Sequence, residues 1–171
     1  SKSEHDPEKW VPVFGKDHAQ SKIVMTDPRT YPDRPYLAVS AAIIRDGHVL
    51  VARRAKGAGT GLYTLPGGVV EAGETLHQAV VREIAEETGI TIEPVALAGQ
   101  REFITRDEAG RVLRHFVILC FAARWRAGEG TPQVEELSEL RWLRPAELSA
   151  LKTTEGLADI VAAAFERIET S

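Results

Sequence analysis

The sequence predicts an α/β fold in which a mixed β-sheet is covered by helices. Three observations predict it. Two apolar runs in "YLAVSAAIIRDGHVLVARR" are joined by Asp46-Gly47, a dipeptide suited to a tight hairpin turn with positive φ. A helical stretch, "TLHQAVVREIAEET", lies between that hairpin and two long strand candidates at 91–105 and 111–126. A second amphipathic stretch, "EGLADIVAAAFERIE" at 155–169, reads as a closing helix.

Taken in order, residues 1–34 show no sustained period of 2 or 3.6 and are rich in Asp, Pro, Lys and His, so they read as a leader or extended arm. The globular domain is expected over 35–171. Met25 is the only methionine and stands just before that pattern begins, as a translation start would; residues 1–24 are expected to be dispensable for chemistry. The rival expectation is that "WVPVF" in that segment packs on the core or on a partner. "AKGAGTG" tempts one towards a phosphate loop, but no Gly-Lys-Ser/Thr follows and the next residues, "LYTLPGG", are strand-like. It reads as a mobile loop. Thr75 with Gln78 forms a capping-box pattern, and Gly89 is placed to end the helix in a left-handed conformation. Leu76, Val80 and Ile84 recur every fourth residue and form its packed stripe. "ELRWLRP" is a further short strand.

With 171 residues the chain is large enough to bury a core. A net charge of -4 argues against general nucleic-acid binding, so no nucleic-acid polymer is expected as a partner. The one cysteine, Cys120, excludes an internal disulfide and fits a reducing cytoplasm. Its setting, "HFVILCFAA", suits a small buried strand residue better than a catalytic thiol. No apolar run approaches the roughly 18 residues a membrane span needs.

The helix carries the chemistry. Glu83, Glu86 and Glu87 stand at i, i+3 and i+4 and gather on one side. At about 100° per residue, Glu87 falls in line with the packed stripe, Glu83 at its edge and Glu86 further round. Three carboxylates so close repel one another unless a cation or proton intervenes. Oxygen donors without His or Cys favour Mg²⁺ or Mn²⁺ over zinc. Such an ion could bridge phosphate oxygens and activate a water. An isolated "REIAEE" would equally suit an exposed helix face steadied by pairs such as Arg82–Glu86.

The spacing tips the balance. Gly68, five residues, Glu74, seven residues, then Arg82-Glu83-Ile84-Ala85-Glu86-Glu87-Thr88-Gly89-Ile90 resembles the Nudix box at every defining position. The preceding hairpin, "LPGG" and the later "EELSELRW" extend the resemblance over roughly residues 35 to 168. It implies a Nudix-type α/β/α sandwich and a metal-dependent hydrolase that cleaves the diphosphate of a nucleoside diphosphate linked to another moiety. Carried over by position, Glu86 and Glu87 are implied as principal ligands of Mg²⁺ or Mn²⁺, and Glu83 as a further ligand or the base. The carbonyl of Gly67 is implied as a ligand too. Arg82 is implied to orient the glutamates, and Glu74 to help fix the loop to the helix. A later acidic residue often completes such sites. Glu136 is the choice, with Glu135 and Glu139 beside it.

Substrate choice lies outside the box. The ADP-ribose pattern has a proline about fifteen residues beyond it, where this chain has "EFITRDEAG"; the dinucleoside-polyphosphate tyrosine and the NADH- and coenzyme A-type signatures are missing too. Arg53, Arg54, Lys56, Arg101, Arg106 and Arg114 are candidate phosphate contacts, and Tyr63 and Phe103 candidate base-stacking rings. The expected partner is a small nucleoside diphosphate derivative, without a membrane, and a homodimer is compatible. Two other readings share the fold. One is a non-catalytic nucleotide-binding module, although such modules often lose box glutamates. The other is an isopentenyl-diphosphate isomerase, which would need a cysteine–glutamate pair.

Overall fold

The computed structural model describes residues 10–12, 23–25 and 27–171, with side chains from Asp27 onward. The chain divides into two compact units. One comprises Ser1–Tyr36 with Phe103–Phe116, the other Leu37–Glu102 with Val117–Ser171.

The larger unit holds the predicted sandwich. Strand β3 (Tyr36–Arg45) turns through Asp46 and Gly47, both at positive φ (48° and 74°), into β4 (His48–Arg54). That is the two-residue hairpin which Asp-Gly favours. β5 (Tyr63–Thr64) and β6 (Gly67–Val69) follow, then helix α1 (Leu76–Thr88). β7 (Thr91–Arg106), β8 (Val112–Ala127) and β9 (Leu137–Leu143) complete a mixed seven-stranded sheet. Its order is β5-β4-β3-β8-β7, with β6 also pairing β3 and β9 pairing β4. A 3₁₀ helix (Pro145–Ala150) and helix α2 (Leu157–Glu169) end the chain.

Alternation along the strands builds two cores, one on each sheet face. Val39, Ala41, Ile43, Leu50, Phe121 and Ala123 pack with Val80 and Ile84 of α1. Their neighbours Ala42, Val49, Val51, Cys120 and Ala122 pack instead with Leu157, Ile160 and Val161 of α2. Cys120 is therefore a buried strand residue, and burial pushes its thiol pKa up. It lies on the face opposite α1, which leaves the isomerase reading no cysteine beside the helix glutamates.

Three expectations change at their edges. The segment read as lacking any period contains β1 (Trp10–Pro12) and β2 (Ile23–Met25), paired antiparallel with Trp10 opposite Met25. Strands of three residues are too short for a period to register. The rest of the arm, and with it most of the segment expected to be dispensable, lies outside the described residues. The "ELRWLRP" strand starts at Leu137 and stops at Leu143, because Pro145 opens the 3₁₀ helix. α2 starts at Leu157 rather than 155, behind Gly156 at φ 77°.

The smaller unit includes the tip between β7 and β8. Asp107 organises it, accepting hydrogen bonds from the backbone N–H of Ala109 and Arg111 and from the Tyr31 hydroxyl. Arg114 pairs with Asp27 at 2.8 Å. Phe116 packs tilted against Tyr36 and Phe103.

Candidate active site

The Gly67-Gly68 pair lets the helix approach the sheet. Gly67 and Gly68 pair with Ser40 and Val39 of β3. A Cβ on Gly67 would strike the Val39 carbonyl, and one on Gly68 would strike the Glu83 carboxylate. α1 begins with the predicted capping box: Gln78 N–H donates to the Thr75 hydroxyl, and Thr75 N–H to the Gln78 side chain. It ends at Gly89 with φ 73°, the left-handed cap only glycine adopts cheaply.

Arg82 is the hub. Its guanidinium makes a two-point bond to Glu74 (2.9 and 2.5 Å) and donates to Glu83 (2.9 Å), to Glu86 (3.2 Å) and to the Val69 carbonyl (3.1 Å). This network holds the Glu74 carboxyl down at about 2, chiefly through the Arg82 bond. Glu74 also accepts from the Glu71 N–H, so it ties the loop to the helix.

Glu87 is different. It is half-buried and accepts a single backbone bond, from Gly67 N–H at 3.0 Å. Burial, then the like charges of Glu83 and Glu136, push its pKa up to about 7. Its exposure follows the sequence reading: Glu87 and Glu83 are half-buried beside the stripe, while Glu86 is exposed. The Gly67 N–H is the group tied to Glu87, which fixes the backbone of the residue whose carbonyl is expected as a ligand.

The segment before β9 crosses the end of α1. Thr131 N–H donates to the Thr88 carbonyl and Gln133 N–H to the Glu87 carbonyl, satisfying two carbonyls left over at the helix end. Gly128 packs so close to the Gly89 carbonyl that a Cβ would sit 2.5 Å from it. Side-chain chemistry gave no sign of these backbone caps; only the glycines hinted at a close approach. The crossing brings Glu136 into the field of Glu87.

Neighbours distinguish the three later acids. Glu135 is taken by Lys56 at 2.6 Å, and Glu139 by the Tyr63 hydroxyl at 2.7 Å and by Arg141. The Glu136 carboxylate has no hydrogen bond or ion pair among the described residues.

The expected phosphate contacts scatter. Arg54 acts on Glu87 electrostatically while its Nε donates to the Ala58 carbonyl. Arg53 next to it is exposed. Arg101 is bonded to Thr154 ahead of α2, Arg106 to the Gly110 carbonyl and Arg114 to Asp27. Tyr63 is not an open stacking ring: it is 8% exposed and belongs to the core. Phe103 is exposed but belongs to the smaller unit.

No three acidic, His or Cys side chains among the described residues converge closely enough to hold a metal as they stand. Arg82 draws Glu83 and Glu86 towards itself. The donor set still fits a hard divalent cation, since a buried carboxylate faces like charges with few compensating donors.

Comparison with known proteins decides the family. The NUDIX domain model matches residues 34–164. The chain belongs to the Nudix family. Among curated relatives, it is 34% identical over 126 residues to the ADP-ribose pyrophosphatase of Methanocaldococcus jannaschii, covering 72% of this chain and 75% of that protein. It is 33% identical over 124 residues to the NAD-capped RNA hydrolase NudC of Photobacterium profundum, covering 72% of this chain but 41% of the relative. The chain thus spans less than half of that longer protein. A solved MutT NUDIX hydrolase from Burkholderia pseudomallei superposes with TM-score 0.65 at 28% identity, over 77% of this chain and 98% of that one. The NUDIX domain of Shewanella oneidensis NrtR, solved with ADP ribose, gives 0.62 at 25% identity, over 84% of this chain and 94% of that one. The Nudix chain is accordingly a pyrophosphohydrolase by class.

Proposed function

We propose that this Nudix hydrolase cleaves the diphosphate of a nucleoside diphosphate whose second phosphate carries a ribose, as in ADP-ribose or NAD. One observation carries the reading: Glu83, Glu86 and Glu87 on one helix end, with Glu87 buried among like charges and Glu136 brought alongside. The names of the relatives support the substrate class, since ADP-ribose and the NAD cap share the ADP-ribosyl diphosphate. The missing ADP-ribose proline leaves recognition to other residues, and the electrostatic reach of Arg54 to Glu87 favours it as a phosphate contact.

Glu86, Glu87 and Glu136, with the Gly67 carbonyl, would hold Mg²⁺ or Mn²⁺. When bound, a divalent ion neutralises diphosphate charge and polarises the reacting phosphorus. Glu83, held by Arg82, would serve as a further ligand or accept the proton of an attacking water. The intact box favours catalysis over a binding-only module. The residues after position 34 form the working domain, and the expected setting is cytoplasmic. A substrate panel tests the proposal: ADP-ribose, NAD, NAD-capped RNA, nucleoside triphosphates, nucleotide sugars and dinucleoside polyphosphates, with products resolved chromatographically. The ADP-ribosyl compounds should turn over fastest. A clear preference for triphosphates would overturn the substrate assignment.

A further inference from the structure

Lys56 stands outside the box, yet its contacts lead to it. It sits in the glycine-rich loop after β4, whose Ala55 N–H donates to the Glu136 carbonyl at 2.8 Å. One residue on, Lys56 Nζ pairs with Glu135 at 2.6 Å. The two contacts fasten consecutive residues, Glu135 and Glu136, to consecutive residues, Ala55 and Lys56. The strand pairing slips at this point. Arg53 lies opposite Glu139 but Arg54 opposite Leu137, with Ser138 as the extra residue. Such bulges re-aim neighbouring side chains and recur beside active sites. On its other side, the acidic segment is fastened to α1 by the Gln133–Glu87 backbone bond. Glu136 thus ends a short segment fastened at Gln133 on the α1 side and, through its own carbonyl and the side chain of Glu135, to the loop on the other.

We infer that Lys56 is a positioning residue: by holding Glu135 outward it aims the Glu136 carboxylate at the helix glutamates and so completes the cation site. The inference rests on the proposed metal-dependent reading. It carries an unusual sign. Lys56 is a cation near a site for cations, and Glu136 is within its electrostatic reach. Removing its charge alone should make metal binding tighter. Removing its grip on Glu135 should make it weaker.

The test is Mn²⁺ affinity, read by paramagnetic resonance on wild type, Lys56→Met, Glu87→Gln and the exchanged pair Lys56→Glu/Glu135→Lys. Melting curves check each fold. Lys56→Met should weaken Mn²⁺ binding by about threefold, the scale of a well-placed surface pair. The exchanged pair should return to within about twofold of wild type. Binding by Lys56→Met that equals or exceeds wild type would overturn the positioning role. Failure of the metal reading looks different: wild type would bind no Mn²⁺, or Glu87→Gln would bind it as tightly as wild type.

Discussion

Replacing Glu87 by Gln should stabilise the metal-free protein, and only above a certain pH. In the fold its carboxyl is raised from 4.5 to about 7, first by burial and then by Glu83 and Glu136. In the unfolded chain it ionises near 4.5. Below that both states are protonated and Glu87 carries no penalty. Between 4.5 and about 7 the unfolded state loses its proton first, so stability falls as pH rises. Above about 7 the penalty is complete. The interval corresponds to roughly 3 kcal/mol, or about 2 kcal/mol allowing for partial solvent access. Gln keeps an acceptor for the Gly67 N–H and carries no charge. At pH 8 the variant should therefore melt about 4–8 °C above wild type in chelator. At pH 4.5 the two should agree within about 2 °C. Saturating Mg²⁺ or Mn²⁺ should narrow or reverse the order at pH 8, because ligand linkage favours the wild type. Calorimetry or fluorescence melting at both pH values measures this. A variant no more stable than wild type at pH 8 would show that Glu87 is not a strained buried carboxylate.

Glu86→Gln and Glu87→Gln should each lower turnover at least ~10²-fold at saturating metal with the fold retained, and near-normal steady-state rates would refute their role. Gly68→Ala should displace the Glu83 carboxylate and lower kcat by about 10–10²-fold with unchanged circular dichroism; a wild-type rate would show that Glu83 need not lie against that backbone. A chain beginning at Met25 should keep metal-dependent hydrolysis, since every box residue follows it. Lost activity, or a melting point lower by more than about 5 °C, would show that β1 and β2 belong to the working fold.

The site's core was legible because it is local. A helix period fixes where Glu83, Glu86 and Glu87 point relative to Val80 and Ile84, and the observed order of burial follows that period. Asp46-Gly47, Thr75 with Gln78, and Gly89 declared their turns and caps by chemistry that acts within a few residues. What was not legible depends on long-range pairing. Arg53 and Arg54 are adjacent in β4, so alternation sends them to opposite faces, and which of the two acts on Glu87 depends on how the sheet meets α1. The choice of Glu136 over Glu135 and Glu139 likewise had no long-range support in the sequence, because the partners that occupy the other two, Lys56 and Tyr63, lie 79 and 76 residues away in the chain. The amides of Thr131 and Gln133 that finish α1 have no side-chain signature at all.

Product analysis with ADP-ribose and Mn²⁺ tests the central claim most directly, with wild type run beside Glu87→Gln and beside wild type under exhaustive chelation. Wild type with metal should yield AMP and ribose 5-phosphate in equal amounts, and the other two should yield neither at a comparable rate. Undiminished hydrolysis in chelator or by Glu87→Gln would contradict the account, because the buried glutamate and the cation it fits would then have no part in the reaction.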